Sequence, residues 1–297
     1  MMAQCMNLTA LSIGCRVPGE DPEARHYRIH SRFRHALNLT RGDGNLLTLL
    51  DARYENSPAA VRVATPAAWD WRERTAGSST VMLEHGVMHG EGWRVLLDGA
   101  ARWAPPSFEG WCGPLPAPEV AAALAAELRR HVGTEGLRSA LQWLPGWPAY
   151  AREVSLGLHD DLHQLQQQVV RLVGFGTGLT PDGDDFLLGY LAVLTPWLNI
   201  EPVAAHHALL KQLIAAQLSQ TTDISRHYLQ LALQGDFSEP VARLVHAISR
   251  HVDLKKIRFA ADCVMQVGSA SGTDSLAGVI SGLRTLQAAR HEALSID

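Results

Sequence analysis

Apolar and polar residues alternate along short segments between residue 8 and about residue 104, which is typical of half-buried β-strands. Between Phe33 and Leu39 the alternation is regular, Gly42 and Gly44 mark a turn, and residues 46–50 form the predicted returning strand. Further strands are predicted at 8–17, 60–64, 81–85 and 93–97. Several short strands separated by frequent turns predict a small barrel or sandwich.

The second half of the chain has a helical period instead. Leu162, Leu165, Val169 and Leu172 share one face of a helix predicted over 158–173. Other helices are predicted at 118–131, 137–143, 202–218, 221–233, 238–251 and 254–267. Five prolines between Pro105 and Pro118 break both periodicities. We therefore predict an α+β protein, with a small β-barrel or sandwich-like domain over residues 1–115 and a mainly α-helical domain over 116–297.

A glycine-rich loop leads into the most apolar helix of the chain. Residues 174–189 read G-F-G-T-G-L-T-P-D-G-D-D-F-L-L-G, and the run from Phe186 to Leu194 has no polar face, which predicts a buried helix. Thr180 suits the N-cap and Pro181 the first helical position. The loop follows a predicted helix, whereas a dinucleotide-binding fingerprint follows a strand, and the chain has no P-loop sequence.

This loop predicts an anion site at the start of the helix. Glycines leave backbone N–H groups uncovered, and a helix N-terminus favours negative charge. The predicted contacts are Gly176, Gly178, Thr180 and Gly183. A capped core helix is the alternative. Capping accounts for Thr180, Pro181 and one aspartate, but not for three glycines before the cap or for the adjacent Asp184 and Asp185.

A second small-residue loop, Gly268-Ser-Ala-Ser-Gly-Thr-Asp274, also precedes a helix. The segments 183–189 and 272–278 share the pattern G-x-D-x-L-x-G, so that Asp185 corresponds to Asp274, and an internal duplication is a hypothesis that this match raises. If the two helices pack together, their N-termini converge on one anion. Ser269, Ser271 and Gly272 then join the predicted binding residues.

Two further groups of polar residues are candidates for ligand contact. The stretch T-T-D-I-S-R-H-Y (221–228) contains more hydroxyls than a helix cap needs, which makes Thr221, Thr222 and Ser225 candidate binding residues, with simple capping as the alternative. In the first domain, Asn38 beside the turn at 42–44 either faces a ligand or belongs to a plain hairpin.

Composition narrows the class of protein. Hydrophobic residues make up 46% of the 297 residues, which is enough for a sizeable core, and the tryptophans of the first half are expected there. A net charge of -4 argues against a nucleic-acid or anionic-membrane partner. The four cysteines lack metal-binding spacing, and we find neither a signal peptide nor an apolar segment long enough to cross a bilayer. We expect a soluble, cytoplasmic protein.

The glycine-rich loop resembles the pattern G-x-G-P-G-L-T-P-S-G-D-D-F-L-x-G of the AllH-like family, whose members include a subunit of oxamate carbamoyltransferase. The T-T-x-I-S element at 221–225 and the S-x-S-G-x-D element at 269–274 are similar to the same family. Thr177 replaces the usual proline and Asp182 the usual serine. The extra carboxylate disfavours a direct phosphate contact at position 182.

The resemblance implies one subunit of an enzyme that exchanges a carbamoyl group between phosphate and oxamate, with oxalurate as the ureido compound, in allantoin and purine breakdown. Carbamoyl phosphate, oxamate or oxalurate, and other subunits of the complex are the implied partners. Asp184, Asp185 and Asp274 are then the expected catalytic residues, with Asp184 or Asp185 as general base. No cofactor is certain, and a magnesium ion held by Asp184 and Asp185 stays open, since an aspartate pair repels phosphate unless a metal or proton intervenes.

Two rival interpretations remain. The S-T-R-T-R phosphate-binding sequence of aspartate and ornithine carbamoyltransferases does not occur in this chain. Any carbamoyl transfer therefore uses a different site, and a non-catalytic assembly subunit that uses its glycines for tight helix packing is one rival. The other is a stand-alone enzyme acting on an acyl or carbamoyl phosphate.

Overall fold

The computed structural model describes residues 5–19, 24–135, 139, 141, 156–158 and 161–293. The chain divides into two compact units, Met1–Pro105 and Pro106–Asp297. Most of the helix predicted at 137–143 lies outside the described residues. No helix among the described residues combines the length and the apolar character needed to cross a membrane.

The first unit is a β-barrel, which confirms the predicted fold class. The strands are β1 Met6–Gly14, β2 Arg25–Arg32, β3 Ala36–Thr40, β4 Leu46–Asp51, β5 Ala60–Ala64, β6 Thr80–Glu84, β7 Val87–Gly90, β8 Trp93–Leu96 and β9 Ala101–Trp103, with a one-turn helix α1 at Trp71–Arg74. They pair in the order β5-β4-β3-β2-β6-β7-β8-β1, and β1 pairs back with β5 to close the barrel, while β9 extends the pairing along β1.

Trp69, Trp71 and Trp93 fill the barrel core, as expected, whereas Trp103 and Trp111 are only half-buried. Trp71 lies between Trp69 and Trp93 in edge-to-face contacts, with ring centroids 5.2 and 5.1 Å apart, a favourable geometry for aromatic pairs. All three side chains are buried. The barrel interior is therefore a packed core built from alternate strand positions.

The strand prediction was wrong at four strands. The strand predicted at 33–39 begins only at Ala36, because the chain turns between β2 and β3 at residues 33–35. Strand β2 was missed because it is mostly polar, and strands β7 and β9 because they are only four and three residues long. Short strands and mostly polar strands show little hydrophobic alternation, so the sequence pattern does not reveal them.

The second unit is helical, as predicted. Its helices are α2 Pro118–Glu135, α3 Leu162–Leu172, α4 Asp182–Leu194, α5 Glu201–Gln217, α6 Asp223–Leu233, α7 Glu239–Ser249, α8 Leu254–Met265 and α9 Ser271–Ala293. Twelve of the thirteen residues of α4 are buried, so this helix is the centre of the unit. Every face of α4 packs against another element, as expected for a helix that is apolar on all sides.

Helices α4 and α9 run parallel in direct backbone contact. A Cβ on Gly189 would overlap the carbonyl oxygen of Ser275, a Cβ on Gly278 that of Phe186, and a Cβ on Gly282 the side chain of Val193. A hydrogen bond joins Thr180 to Ser271 at the starts of the two helices, and another joins Tyr190 to Thr285 further along both, so the two N-termini lie at the same end of the pair.

The start of α4 differs from the prediction by one residue. Pro181 occupies the N-cap position, the helix begins at Asp182, and no side chain caps it. Thr180 is therefore not the N-cap. Its hydroxyl is used elsewhere, in a hydrogen bond 2.9 Å long with the hydroxyl of Ser271.

Candidate active site

Two loops lie side by side above the paired helix starts. The first loop joins α3 to α4 (residues 173–181), and the second joins α8 to α9 (residues 266–270). The Thr180–Ser271 hydrogen bond connects the end of the first loop to the start of α9. Glycines set the path of the first loop, because Gly174, Gly176 and Gly178 have φ values of 75, 120 and 92 degrees, which side chains disfavour.

The two helix–loop–helix segments share one pattern of contacts. A Cβ on Gly183 would overlap the carbonyl oxygen of Leu172 at the end of α3, and a Cβ on Gly272 that of Val264 near the end of α8. The Gly183 N–H donates to the Phe175 carbonyl at 2.9 Å, and the Gly272 N–H to the Val267 carbonyl at 3.0 Å. These matching contacts support the duplication hypothesis that the sequence raised.

The helix starts offer fewer free N–H groups than the sequence suggested. Gly183 and Gly272 were predicted to contact an anion, but their N–H groups are occupied by loop carbonyls, and those of Asp184, Asp185 and Asp274 are occupied too. Among the described residues, no hydrogen bond engages the N–H groups at 176–179 or 269–270. The donors available to a ligand are therefore in the loops, where Gly176 and Gly178 were predicted, rather than in the first helical turns.

Asp184 connects α4 to the preceding loop and to α6. Its Oδ1 accepts from the Gly174 N–H at 2.9 Å, and its Oδ2 accepts from the hydroxyls of Thr221 and of Ser225, the latter at 2.6 Å. Burial raises the pKa of Asp184, and these hydrogen bonds counter part of the rise. Both oxygens are thus committed to protein donors, which gives Asp184 a positioning role in the structure.

The hydroxyls predicted around residue 221 hold the first loop against α6. Thr222 is the N-cap of α6: its hydroxyl accepts from the Ser225 N–H at 3.1 Å and donates to the Leu179 carbonyl at 2.5 Å. Thr221 and Ser225 reach Asp184 instead. These hydroxyls therefore fix the first loop from the side of α6. More than one hydroxyl is needed because one holds the Leu179 carbonyl and the others hold the Asp184 carboxylate.

Asp185 lies under the hydroxyl bridge. The hydroxyls of Thr180 and Ser271 lie within hydrogen-bonding reach of its carboxylate, while its Oδ2 is buried with no partner among the described residues. Burial raises the pKa of Asp185 well above its usual range, the two hydroxyls oppose the rise, and the charges of Asp184 and Asp182 add to it. The hydroxyl bridge thus lies beside the Asp185 carboxyl, whose Oδ2 has no partner in the part of the chain that the structure describes.

Asp274 lies in the first turn of α9 and has no exposed surface. Within the described residues, neither of its carboxylate oxygens has a hydrogen-bond partner. Burial raises the pKa of Asp274 to about 9; the nearby Ser139 hydroxyl opposes the rise without reaching hydrogen-bonding geometry, and the charges of Asp182 and Asp185 reinforce it. Asp274 is therefore a neutral carboxylic acid at physiological pH.

The acids meet as the sequence hypothesis required. Asp182, Asp185 and Asp274 are close enough for their charges to act on one another, and all three are buried. We call these three residues the acid layer. Among the described residues, no group of three or more histidine, cysteine, aspartate or glutamate side chains is arranged to hold a metal ion. Burial and the neighbouring acids raise the pKa of Asp185 and of Asp274, and a proton on either carboxyl lowers the repulsion between them.

The two remaining predicted residues are Ser269 of the helical unit and Asn38 of the barrel unit. Ser269 is exposed on the second loop and has no hydrogen-bond partner among the described residues. Asn38 belongs to the barrel unit, where its amide donates to Ser31 at 3.0 Å and accepts from Thr48 at 2.8 Å. Both ends of the Asn38 amide are thus used between neighbouring strands, as in the plain-hairpin alternative.

Sequence reasoning missed Tyr228, which follows Ser225 by one turn of α6. Burial raises the pKa of its phenol, and the charge of Asp185 raises it further, so Tyr228 lies within electrostatic range of that carboxyl. The i, i+3 spacing from Ser225 was the available signal, because residues at this spacing share a helix face. Asp182 was noted only as a departure from the family pattern, although it belongs to the acid layer.

Comparison with known protein families matches two regions. Residues 9–102 match the model of the AllH family N-terminal domain, and residues 172–283 match that of oxamate carbamoyltransferase subunit AllH. Together the two matches cover most of the chain, and the second contains both loops, α4 and the start of α9. No solved structure matches the chain.

Proposed function

The chain belongs to the AllH family of oxamate carbamoyltransferase subunits, and from this premise we propose that it carries the reacting groups of that enzyme. The proposed reaction exchanges a carbamoyl group between phosphate and oxamate in allantoin breakdown. The observation that carries the proposal is the meeting of two helix starts, where loop N–H groups lie above aspartates that have oxygens without protein partners.

The loops provide the anion-binding half of the proposed site. Phosphate and the oxamate carboxylate both need N–H donors, and the N–H groups at 176–179 and 269–270 are unoccupied among the described residues. The hydroxyls of Thr180 and Ser271 add donors at the boundary between loops and acids. The same N–H groups supply stabilisation for charge that develops on a carbonyl oxygen during acyl-type transfer.

The aspartates provide hydrogen-bond acceptors, which a site for a simple anion does not need. Oxamate, oxalurate and carbamoyl phosphate all contain amide N–H groups, which require acceptors. The free Oδ2 of Asp185 is such an acceptor, and it lies below the hydroxyl bridge. A site with donors above and acceptors below fits a molecule that is anionic at one end and an amide at the other.

The proposed chemistry assigns proton transfer to Asp185. In the direction of oxalurate synthesis, the oxamate nitrogen attacks the carbamoyl carbon, the carbon–oxygen bond to phosphate breaks, and the nitrogen loses a proton to Asp185. In phosphorolysis, a phosphate oxygen attacks the same carbon, the carbon–nitrogen bond breaks, and Asp185 returns the proton to the leaving nitrogen. A raised pKa suits this role, because the group must hold the proton in one direction and release it in the other.

The test is phosphorolysis of oxalurate by the complex reconstituted with Asp185→Asn. We expect a fall in kcat of at least about 100-fold with unchanged subunit assembly, since general acid–base catalysis contributes about that much. The matched control is Asp236→Asn, another buried aspartate of the helical unit, at the opposite end of α6 from the site. Its turnover should equal that of the unmodified complex.

The assembly-subunit alternative predicts the reverse. If the glycines serve only helix packing, Asp185→Asn leaves turnover unchanged, and catalysis belongs to another subunit. The tight Gly189–Ser275 and Gly278–Phe186 contacts are what this alternative would need as well. The free oxygens of the buried aspartates favour the catalytic role, because packing gains nothing from unpartnered buried carboxyls.

Phosphate, carbamoyl phosphate and oxalurate should each stabilise the reconstituted complex against thermal unfolding, and magnesium should be tested as an addition to each.

We propose the cytoplasm as the compartment. The exposed thiols of Cys5, Cys15 and Cys112 support this proposal, because exposed thiols persist in reducing surroundings.

A further inference from the structure

Asp274 differs from the other aspartates of the site in having two free oxygens. Asp184 uses both of its oxygens on protein donors, and Asp185 shares one with the hydroxyl bridge. Asp274 has no exposed surface, and neither of its oxygens has a partner among the described residues. Buried polar groups in folded proteins are almost always hydrogen-bonded, so a carboxyl with both oxygens free indicates a ligand that contacts both.

The neighbours of Asp274 require its carboxyl to be uncharged. The charged groups that act on it most strongly are Asp182 and Asp185 of α4, both acidic, and Ser139 is the neutral polar group nearby. Asp184 and the Tyr228 phenol are near enough to Asp185 for electrostatic interaction, and neither adds positive charge. A buried carboxyl surrounded by acids keeps its proton, and burial accordingly raises the pKa of Asp274 to about 9.

A neutral carboxylic acid with two free oxygens has a specific complement. It donates one hydrogen bond through its O–H and accepts one through its C=O, and the two groups point the same way. A primary amide offers the matching pair, a carbonyl oxygen and an N–H on the same side. The carbamoyl group, an amino group bonded to a carbonyl carbon, is such an amide, whereas phosphate and carboxylate groups have no N–H to donate.

We propose that Asp274 recognises the carbamoyl group itself, by donating its O–H to the carbamoyl carbonyl oxygen and accepting a hydrogen bond from the carbamoyl amino group. This inference rests on the proposed function and assigns the specificity for the transferred group to one residue. It also places a donor on the oxygen where negative charge develops when the carbamoyl carbon is attacked. Because Asp274 has no exposed surface, its surroundings must open to admit the ligand.

Acetyl phosphate provides the probe, because it replaces the carbamoyl amino group with a methyl group and keeps the carbonyl and the phosphate. The reconstituted complex should bind carbamoyl phosphate at least about 10-fold more tightly than acetyl phosphate, because an acceptor left unpaired by an analogue opposes binding. Asp274→Ala should reduce this ratio to about one. Asp274→Asn should keep most of the ratio, because a carboxamide has one donor and one acceptor in the same places.

Asp236→Asn is again the control, and its carbamoyl-to-acetyl ratio should match that of the unmodified complex. If Asp274→Ala fails to assemble, the comparison of Asp274→Asn with Asp274→Leu gives the same contrast between a polar and an apolar side chain, both of which branch at Cγ as aspartate does. Asp274→Leu should lose the ratio that Asp274→Asn keeps.

The outcomes separate this inference from the proposed function. Equal binding of carbamoyl and acetyl phosphate by the unmodified complex, or an unchanged ratio in Asp274→Ala, overturns the role of Asp274 while oxalurate phosphorolysis stands. Failure of the unmodified complex to turn over oxalurate overturns the proposed function. The protonation of Asp274 is measured independently by infrared difference spectroscopy at pH 7, where the spectrum of the unmodified chain minus that of Asp274→Asn should contain a protonated carboxyl band. Absence of that band overturns the inference directly.

Discussion

Gly189 of α4 lies directly against the backbone of Ser275 in α9, with no room for a side chain between them. The reciprocal contact joins Gly278 of α9 to Phe186 of α4. These two contacts bring the helices closer than side chains permit, and this closeness places Asp185 and Asp274 in one acid layer. The approach of the two helices is therefore the structural basis of the site.

Gly278→Ala tests this approach. The new methyl group would overlap the Phe186 carbonyl, and neither backbone can move without disturbing a buried helix pair. We expect the free energy of unfolding to fall by about 3 kcal/mol, at the upper end of overpacking effects. Urea unfolding measures it.

Gly133→Ala is the matched control, because Gly133 is also helical but nothing lies within 4 Å of an added Cβ. It should raise the free energy of unfolding by up to ~1 kcal/mol through helix propensity. Equal effects of the two substitutions would contradict the close approach.

Asp184 should behave as a positioning residue. Asp184→Ala leaves the Gly174 N–H and the hydroxyls of Thr221 and Ser225 without their acceptor, so we expect a loss of about 3 kcal/mol in the free energy of unfolding. Asp184→Asn should lose much less, because its Oδ1 still accepts from Gly174 while the hydroxyls turn to accept from its amide. Equal losses in the two variants would show that the charge, rather than the hydrogen bonds, matters.

The hydroxyl bridge predicts an energetic coupling between the two loops. Thr180→Val and Ser271→Ala each remove the same hydrogen bond, so their effects on stability should not add. A double-mutant cycle should give a coupling energy of about 0.5–1 kcal/mol. Ser271→Ala combined with Thr195→Val, at the far end of α4, should be additive, because the Thr195 hydroxyl bonds only locally to the Leu191 carbonyl. Additivity in both pairs would argue against the bridge.

The sequence predicts the helical unit better than the barrel for a physical reason. Helix α4 is recognisable because it is apolar on all sides, and α6 because Thr222 and the following turn form a standard cap. Strand β2 cannot be recognised in the sequence because its residues are mostly polar. Its position is fixed by pairing with β3 and β6, and a local sequence pattern does not show which strands pair.

The same contrast holds for the site. The match between 183–189 and 272–278 correctly brings Asp185 and Asp274 together, because the glycines that permit close packing are visible in the sequence. The sequence does not reveal that Gly183 and Gly272 have occupied N–H groups, or that Asp184 turns away toward α6. Both depend on how the loops fold back on the helix starts, which no local pattern encodes.

Asp274 should make stability depend on pH in an unusual direction. Its pKa is about 9 in the folded chain and 3.8 in the unfolded chain, so the folded state binds the extra proton between these values. The free energy of unfolding contributed by this group is therefore greatest below pH 4 and falls as pH rises toward 9, by at most ~1.4 kcal/mol per pH unit. The raised pKa of Asp185 acts in the same direction. Asp274→Asn removes one such group, so urea unfolding between about pH 5 and pH 8 should show a shallower decline than in the unmodified chain. Parallel curves would mean that Asp274 is ionised in the folded protein, and its two free oxygens would then need a cation rather than a carbamoyl group.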